Sequence, residues 1–119
     1  MKLRWSSFRC AIAGIILLVL RHNHARWHLL ASIVVTVLGL SLGISRFEWL
    51  ALVLAMALVW VAEALNTAIE LTCDAITLER HSLIGQAKDV AAGGVLLAAV
   101  FAVMVGLLVF GGRWVGVAP

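Results

Sequence analysis

Charge is what this chain has least of. Of its 119 residues, 13% are Asp, Glu, Lys or Arg, where a soluble domain carries roughly a quarter. The basic residues are too sparse, and too embedded in apolar sequence, to form a nucleic-acid surface. Only two cysteines occur. Cys10 and Cys73 fall in different helical segments without metal or redox spacing, and read as packing residues in a reducing compartment. No GxxxxGK-Ser/Thr loop and no glycine-rich kinase loop is present, so residue spacing alone does not point to a nucleotide. The apolar run 11–20 is short and lacks a small-residue cleavage pattern, so the N-terminus is not expected to be a cleavable signal peptide.

What fills the space is hydrophobic: 64% of residues are apolar and the mean hydropathy is +1.11. The reading is an all-α integral membrane protein with one domain over residues 1–119. So small a bundle cannot easily enclose a substrate, and an oligomer with its site between subunits is expected. Lys2, Arg4, Arg9, Arg21 and Arg26 gather near the N-terminus and place it in the cytoplasm by the positive-inside rule.

Along the chain, Trp5, Phe8, Ile12, Ile15 and Ile16 recur at helical spacing, predicting an amphipathic surface helix over about residues 5–28. A first spanning helix follows over about 29–45 and is slightly short for a bilayer. It contains Gly39 and Gly43, a GxxxG pair suited to close helix contact. Ser45–Glu48 forms a tiny connector, and Trp49 marks the membrane interface. A second, longer helix is predicted over about 47–78, its outer half lipid-facing. A polar turn containing Gly85 covers Glu79–Lys88, and a third span covers about 86–112. Arg113 and Trp114 close it on the outer side.

Four of the six carboxylates, Glu63, Glu70, Asp74 and Glu79, fall in one short stretch that begins inside the second span. At about 100° per residue, Asn66, Thr67, Glu70 and Asp74 all lie within about 60° of Glu63 around the helix. One narrow polar stripe thus runs down a helix otherwise made for lipid, and ionisable groups at that depth mark a functional site by default. Carboxylates suit Mg²⁺, a lysine such as Lys88 neutralises phosphate, and a desolvated glutamate can act as a general base. Glu63 is the deepest acid and the best base candidate. Glu70 lies about 10 Å further along the axis, so the two acids do different jobs. The plainer alternative is a helix–helix ion pair, Glu70 or Asp74 against Lys88 or Arg80, with Asn66 as interhelical hydrogen-bonding glue. His24 and His28 share a helix face as a possible ligand pair, but interfacial histidines flanked by Arg21 and Arg26 are more often headgroup contacts. Trp60, in mid-helix, reads as packing.

The run AEALNTAIELTCDAITLERHSLIGQAKDVAAGGVLLAAV, residues 62–100, closely resembles the prokaryotic diacylglycerol kinase family of small integral-membrane lipid kinases. The carrying pattern is E-x-x-N-[ST]-A-I-E-x-x-x-D, then a histidine, then A-K-D. The segment around Arg9 and His24–Leu30 matches more weakly. KDVAAGGVLL looks more like the undecaprenol kinase branch. The resemblance implies a homotrimer of three-span subunits with a surface helix, in a bacterial plasma membrane, with the site on the cytoplasmic side. It implies that Glu63 is the catalytic base, that Asn66 and Asp74 support it, and that Glu70 binds magnesium. Glu79, Arg80, His81, Lys88 and Asp89 match positions that contact ATP. The family usually has a metal-binding glutamate where this chain has His22, a poorer Mg²⁺ ligand.

The expectation is therefore an ATP- and Mg²⁺-dependent kinase of a membrane lipid alcohol, undecaprenol before diacylglycerol, with no nucleic-acid partner. The competing expectation is a non-catalytic or ion-conducting membrane protein using Glu63 and Glu70 as a proton relay.

Overall fold

A computed structural model describes residues 2–114, with the side chains of residues 2, 3, 21 and 114 left out of the description. The headgroup role expected of Arg21 and the interfacial role expected of Trp114 therefore lie outside the described residues. Four helices account for almost all of the described chain: α1 (Lys2–Arg21), α2 (Asn23–Leu42), α3 (Arg46–Ile76) and α4 (Ser82–Trp114). Three of them, α2, α3 and α4, are long and apolar enough to cross a membrane.

Two boundaries differ from the sequence reading, each for a local reason. The first break falls at His22, whose extended backbone (φ −113°, ψ 118°) separates α1 from α2, and not near residue 28. Arg26 stabilises that break by folding back to donate to the carbonyls of Val19 and Leu20 at the end of α1, which otherwise lack helical partners. The residues from Asn23 to His28 thus belong to the first span. At 20 residues it rises about 30 Å, a full hydrocarbon thickness, so the expected shortfall disappears. The second difference is at α4, which starts at Ser82 because His81 Nδ1 accepts the Leu83 amide at 3.2 Å. Gly85 is inside the helix, and the true linker is only residues 77–81.

The turn between α2 and α3 is built from local chemistry. Gly43 ends α2 in the left-handed conformation (φ 60°, ψ 50°), which suits glycine. Ser45 then starts α3 with a complete capping box: its Oγ accepts the Glu48 amide at 3.2 Å, and Glu48 Oε1 accepts the Ser45 amide at 3.0 Å. Within this one chain Gly39 and Gly43 do not meet a neighbouring helix as a GxxxG pair. Gly39 alone provides a close approach, to the Trp49 ring, and Trp49 is correspondingly half-buried.

The spans run antiparallel. Glu48 of α3 faces Arg113 of α4 at one end, while Asp74 faces Lys88 at the other. The Glu48–Arg113 clasp is bidentate, at 2.7 and 2.9 Å, and Arg113 also donates to the Val109 carbonyl. Beside it Ile44, Leu52 and Val109 form a small apolar core. The outer half of α3 is not purely lipid-facing, since Leu52, Ala55 and Val59 are buried. The molecule measures 54 × 41 × 20 Å, a thin slab with many large apolar side chains exposed on its faces.

Candidate active site on α3

The buried face of α3 continues from Leu52, Ala55 and Val59 into Glu63, Asn66, Thr67 and Cys73. Steps of three and four residues keep one side of a helix turned inward, so the deeper part of the polar stripe extends the core face, while Glu70 is part-exposed and Asp74 exposed. Glu63 is 2% exposed. Counting from Arg46 at about 1.5 Å per residue, Glu63 lies about 26 Å along α3 and Glu70 about 36 Å. The two acids are therefore about 10 Å apart along the helix axis.

Glu63 has a partner that sequence proximity did not reveal. His28 Nε2 of α2 lies 3.4 Å from Glu63 Oε2. One turn away on the same two helices, Trp60 Nε1 donates to Ser32 Oγ at 3.1 Å, and Ser32 Oγ donates to the His28 carbonyl at 2.8 Å. The His28 and Trp60 rings meet edge to face, with centroids 6.5 Å apart and planes at 66°. Trp60 is packing, as expected, but it also donates a hydrogen bond. His28 heads a mostly apolar crevice of about 270 Å³ between α2, α3 and α4, which reaches down to Leu52 and Phe110. His24 is exposed, whereas His28 turns to Glu63.

Further along the stripe, Asn66 Nδ2 donates to Glu70 Oε1 at 3.3 Å. The Asn66 Oδ1 atom is buried without a hydrogen-bond partner, unusual for a native polar atom. Asp74 accepts from Lys88 Nζ at 2.6 Å, which realises the helix–helix ion pair anticipated as the plainer alternative. Both of its side chains are well exposed, so the pair is solvated and screened. Glu79, Arg80, His81 and Lys88 line an open hollow of about 480 Å³ at the α3–α4 linker, and Asp89 is exposed beside it. His22, part-buried at the α1–α2 break, makes no capping hydrogen bond with its side chain. Among the described residues no group of three or more His, Cys, Asp or Glu side chains converges as a metal site.

These features define a class: a multi-pass helical membrane protein with a buried carboxylate at one end of its bundle and a polar, mixed-charge linker beyond it. Residues 9–110 match the family described as prokaryotic diacylglycerol kinase. The chain belongs to that family and is thus a lipid kinase, a phosphotransferase. It is 40% identical over 85 residues to an undecaprenol kinase of Bacillus subtilis, covering 71% of this chain and 69% of that protein. Identity is 38% over 101 residues to a diacylglycerol kinase of Synechocystis, covering 84% of this chain and 58% of the relative. It is 35% over 74 residues to the diacylglycerol kinase of Escherichia coli K12, covering 62% and 61%. The match thus spans less than two thirds of the length of both diacylglycerol kinases.

Proposed function

We propose that this chain transfers the γ-phosphate of ATP to the hydroxyl of a membrane lipid alcohol, with undecaprenol the favoured acceptor and diacylglycerol the next. The observation that carries the reading is Glu63: a carboxylate 2% exposed, at the membrane-embedded end of a polar stripe that leads to the linker hollow. The alignment with an undecaprenol kinase over 69% of its length supports the order of acceptors.

In this reading Glu63 takes the proton of the lipid hydroxyl as its oxygen bonds to the γ-phosphorus. The bond from that phosphorus to the β,γ-bridging oxygen breaks and ADP leaves. Phosphoryl transfer needs positioning and charge neutralisation more than covalent chemistry, so a sparse site suffices. Glu79, Arg80, His81, Lys88 and Asp89 meet the nucleotide. Asn66 and Asp74 support the site by holding Glu70 and Lys88, respectively.

Glu70 and the unpartnered Asn66 Oδ1 are hard oxygen donors of the kind Mg²⁺ prefers, so the residues fit the ion in chemistry. Glu70 would hold it, with His22 as a weaker ligand, and the remaining ligands would come from nucleotide, water or a second subunit. When bound, the ion neutralises phosphate charge. In this reading the assembly is a homotrimer with shared sites, since a slab 20 Å thick encloses little of a substrate by itself. In that assembly α1 is an amphipathic helix on the cytoplasmic surface of a bacterial plasma membrane, and residues 1–119 form one domain.

The test is transfer of labelled γ-phosphate from ATP to undecaprenol and to diacylglycerol in mixed micelles, for wild type and Glu63→Gln. Labelled lipid from wild type and not from Glu63→Gln is the expected result, with undecaprenol the better acceptor. No labelled lipid from wild type with either acceptor, across a wide Mg²⁺ range, overturns the proposal.

A further inference from the structure

We propose that His28, which lines the α2–α3–α4 crevice, is a positioning residue for the neighbouring Glu63, holding the carboxylate so that it meets the acceptor hydroxyl in one orientation. This rests on the reading of Glu63 as the base. The contact is a cross-helix one: 35 residues separate the two positions in the chain, yet Nε2 and Oε2 are 3.4 Å apart. Among the described residues it is the one ion-pair contact that Glu63 makes.

The imidazole itself has little freedom. Its main chain is tied to Ser32 Oγ, which is tied in turn to the Trp60 indole, and its ring lies edge-on to that indole. Trp60 and Glu63 are one turn apart on α3, while Ser32 and His28 are one turn apart on α2. Two antiparallel contacts, Trp60 to Ser32 and Glu63 to His28, therefore lock the helices in a single register. That register places Nε2 against the carboxylate. With Glu63 ionised, as a base must be, an attractive contact needs a proton on Nε2, which either the neutral Nε2–H tautomer or the imidazolium provides.

A buried glutamate has three side-chain torsions and few polar neighbours to hold it. Left to itself, it would sample several rotamers, each presenting its oxygens in a different direction. A general base must be within hydrogen-bond reach of its proton, and a misplacement of about 1 Å costs about 10²-fold in rate. His28 removes that freedom from the side of α2, without touching nucleotide or acceptor.

The experiment measures kcat and both KM values in the micelle assay for His28→Phe, His28→Gln, Glu63→Gln and the double variant His28→Phe/Glu63→Gln. Phenylalanine keeps a ring against Trp60 and loses the donor, whereas glutamine returns an N–H near the position of Nε2. The expected result is a kcat about 10²-fold lower for His28→Phe, with KM for ATP and acceptor within about twofold of wild type. His28→Gln recovers most of the loss, and the double variant is no slower than Glu63→Gln alone, since a positioner has nothing left to position. A purely structural histidine would instead shift KM and kcat together and show no rescue by glutamine. Wild-type kcat in His28→Phe, or a further loss in the double variant, overturns the proposal while leaving Glu63 as base. Full activity in Glu63→Gln overturns the base reading itself. If His28→Phe does not fold, His28→Gln decides: activity near wild type supports positioning by a donor, and loss of activity with unchanged thermal stability refutes it.

Discussion

Glu63→Gln should separate stability from activity, because the same burial that makes Glu63 a base candidate makes it expensive to fold. The side chain is 3% exposed, and its ion-pair contact is a single 3.4 Å approach from an imidazole that is itself 20% exposed. Removing a carboxylate from water carries an effective penalty of several kcal/mol, and one long contact of this kind returns only part of it. Glutamine keeps the volume and one acceptor oxygen, sheds the charge, and leaves a neutral imidazole rather than an orphaned ion. The expected change is therefore zero to about 2 kcal/mol in favour of the variant. Activity moves the other way: loss of a general base lowers kcat by about 10²–10⁴-fold, or about 3–5 kcal/mol of barrier. The reciprocal change is asymmetric. His28→Phe strands a buried carboxylate and should destabilise by about 1–3 kcal/mol. Thermal unfolding of the detergent-solubilised variants, read beside the transfer assay, checks both signs. A Glu63→Gln protein that melts well below wild type, or one that melts below His28→Phe, refutes the reasoning, because the carboxylate would then be a net structural asset.

A Cβ on Gly39 would lie 2.7 Å from the Trp49 ring and 3.1 Å from Ile44 Cδ1. Gly39→Ala should therefore destabilise by about 1–3 kcal/mol, and Trp49→Leu in the same chain should restore the melting temperature. Lys88→Met removes a solvated partner of Asp74. It should barely change thermal stability but should raise KM for MgATP while leaving KM for the acceptor unchanged, as initial rates at varied ATP would show. His22→Glu should lower the Mg²⁺ concentration needed for half-maximal activity, since a carboxylate is the better ligand for this ion; an unchanged or higher requirement in a magnesium titration refutes a metal role for position 22.

Hydrophobic runs and their lengths determined the helical membrane class by themselves, because a polar backbone in lipid must satisfy its hydrogen bonds within each helix. Helical periodicity determined the stripe as well: Glu63, Asn66, Thr67 and Glu70 share a face for any α-helix drawn through them, and here Glu63, Asn66 and Thr67 are buried while Glu70 is part-exposed. The sequence did not determine what meets the stripe. His28 stands 35 positions from Glu63 and looked like one of several interfacial histidines. Only the packing of α2 against α3, set by the Gly43 turn, the Ser45 capping box and the Trp60–Ser32 bond, brings it there. Helix ends were likewise decided in three dimensions. Arg26 satisfies carbonyls of the preceding helix, and the His81 ring accepts an amide of the next, roles outside the common Ser, Thr, Asp and Asn capping pattern. Periodicity is a property of one helix and can be counted along the chain, whereas a contact between two helices depends on their relative rotation and register, which only the assembled bundle fixes.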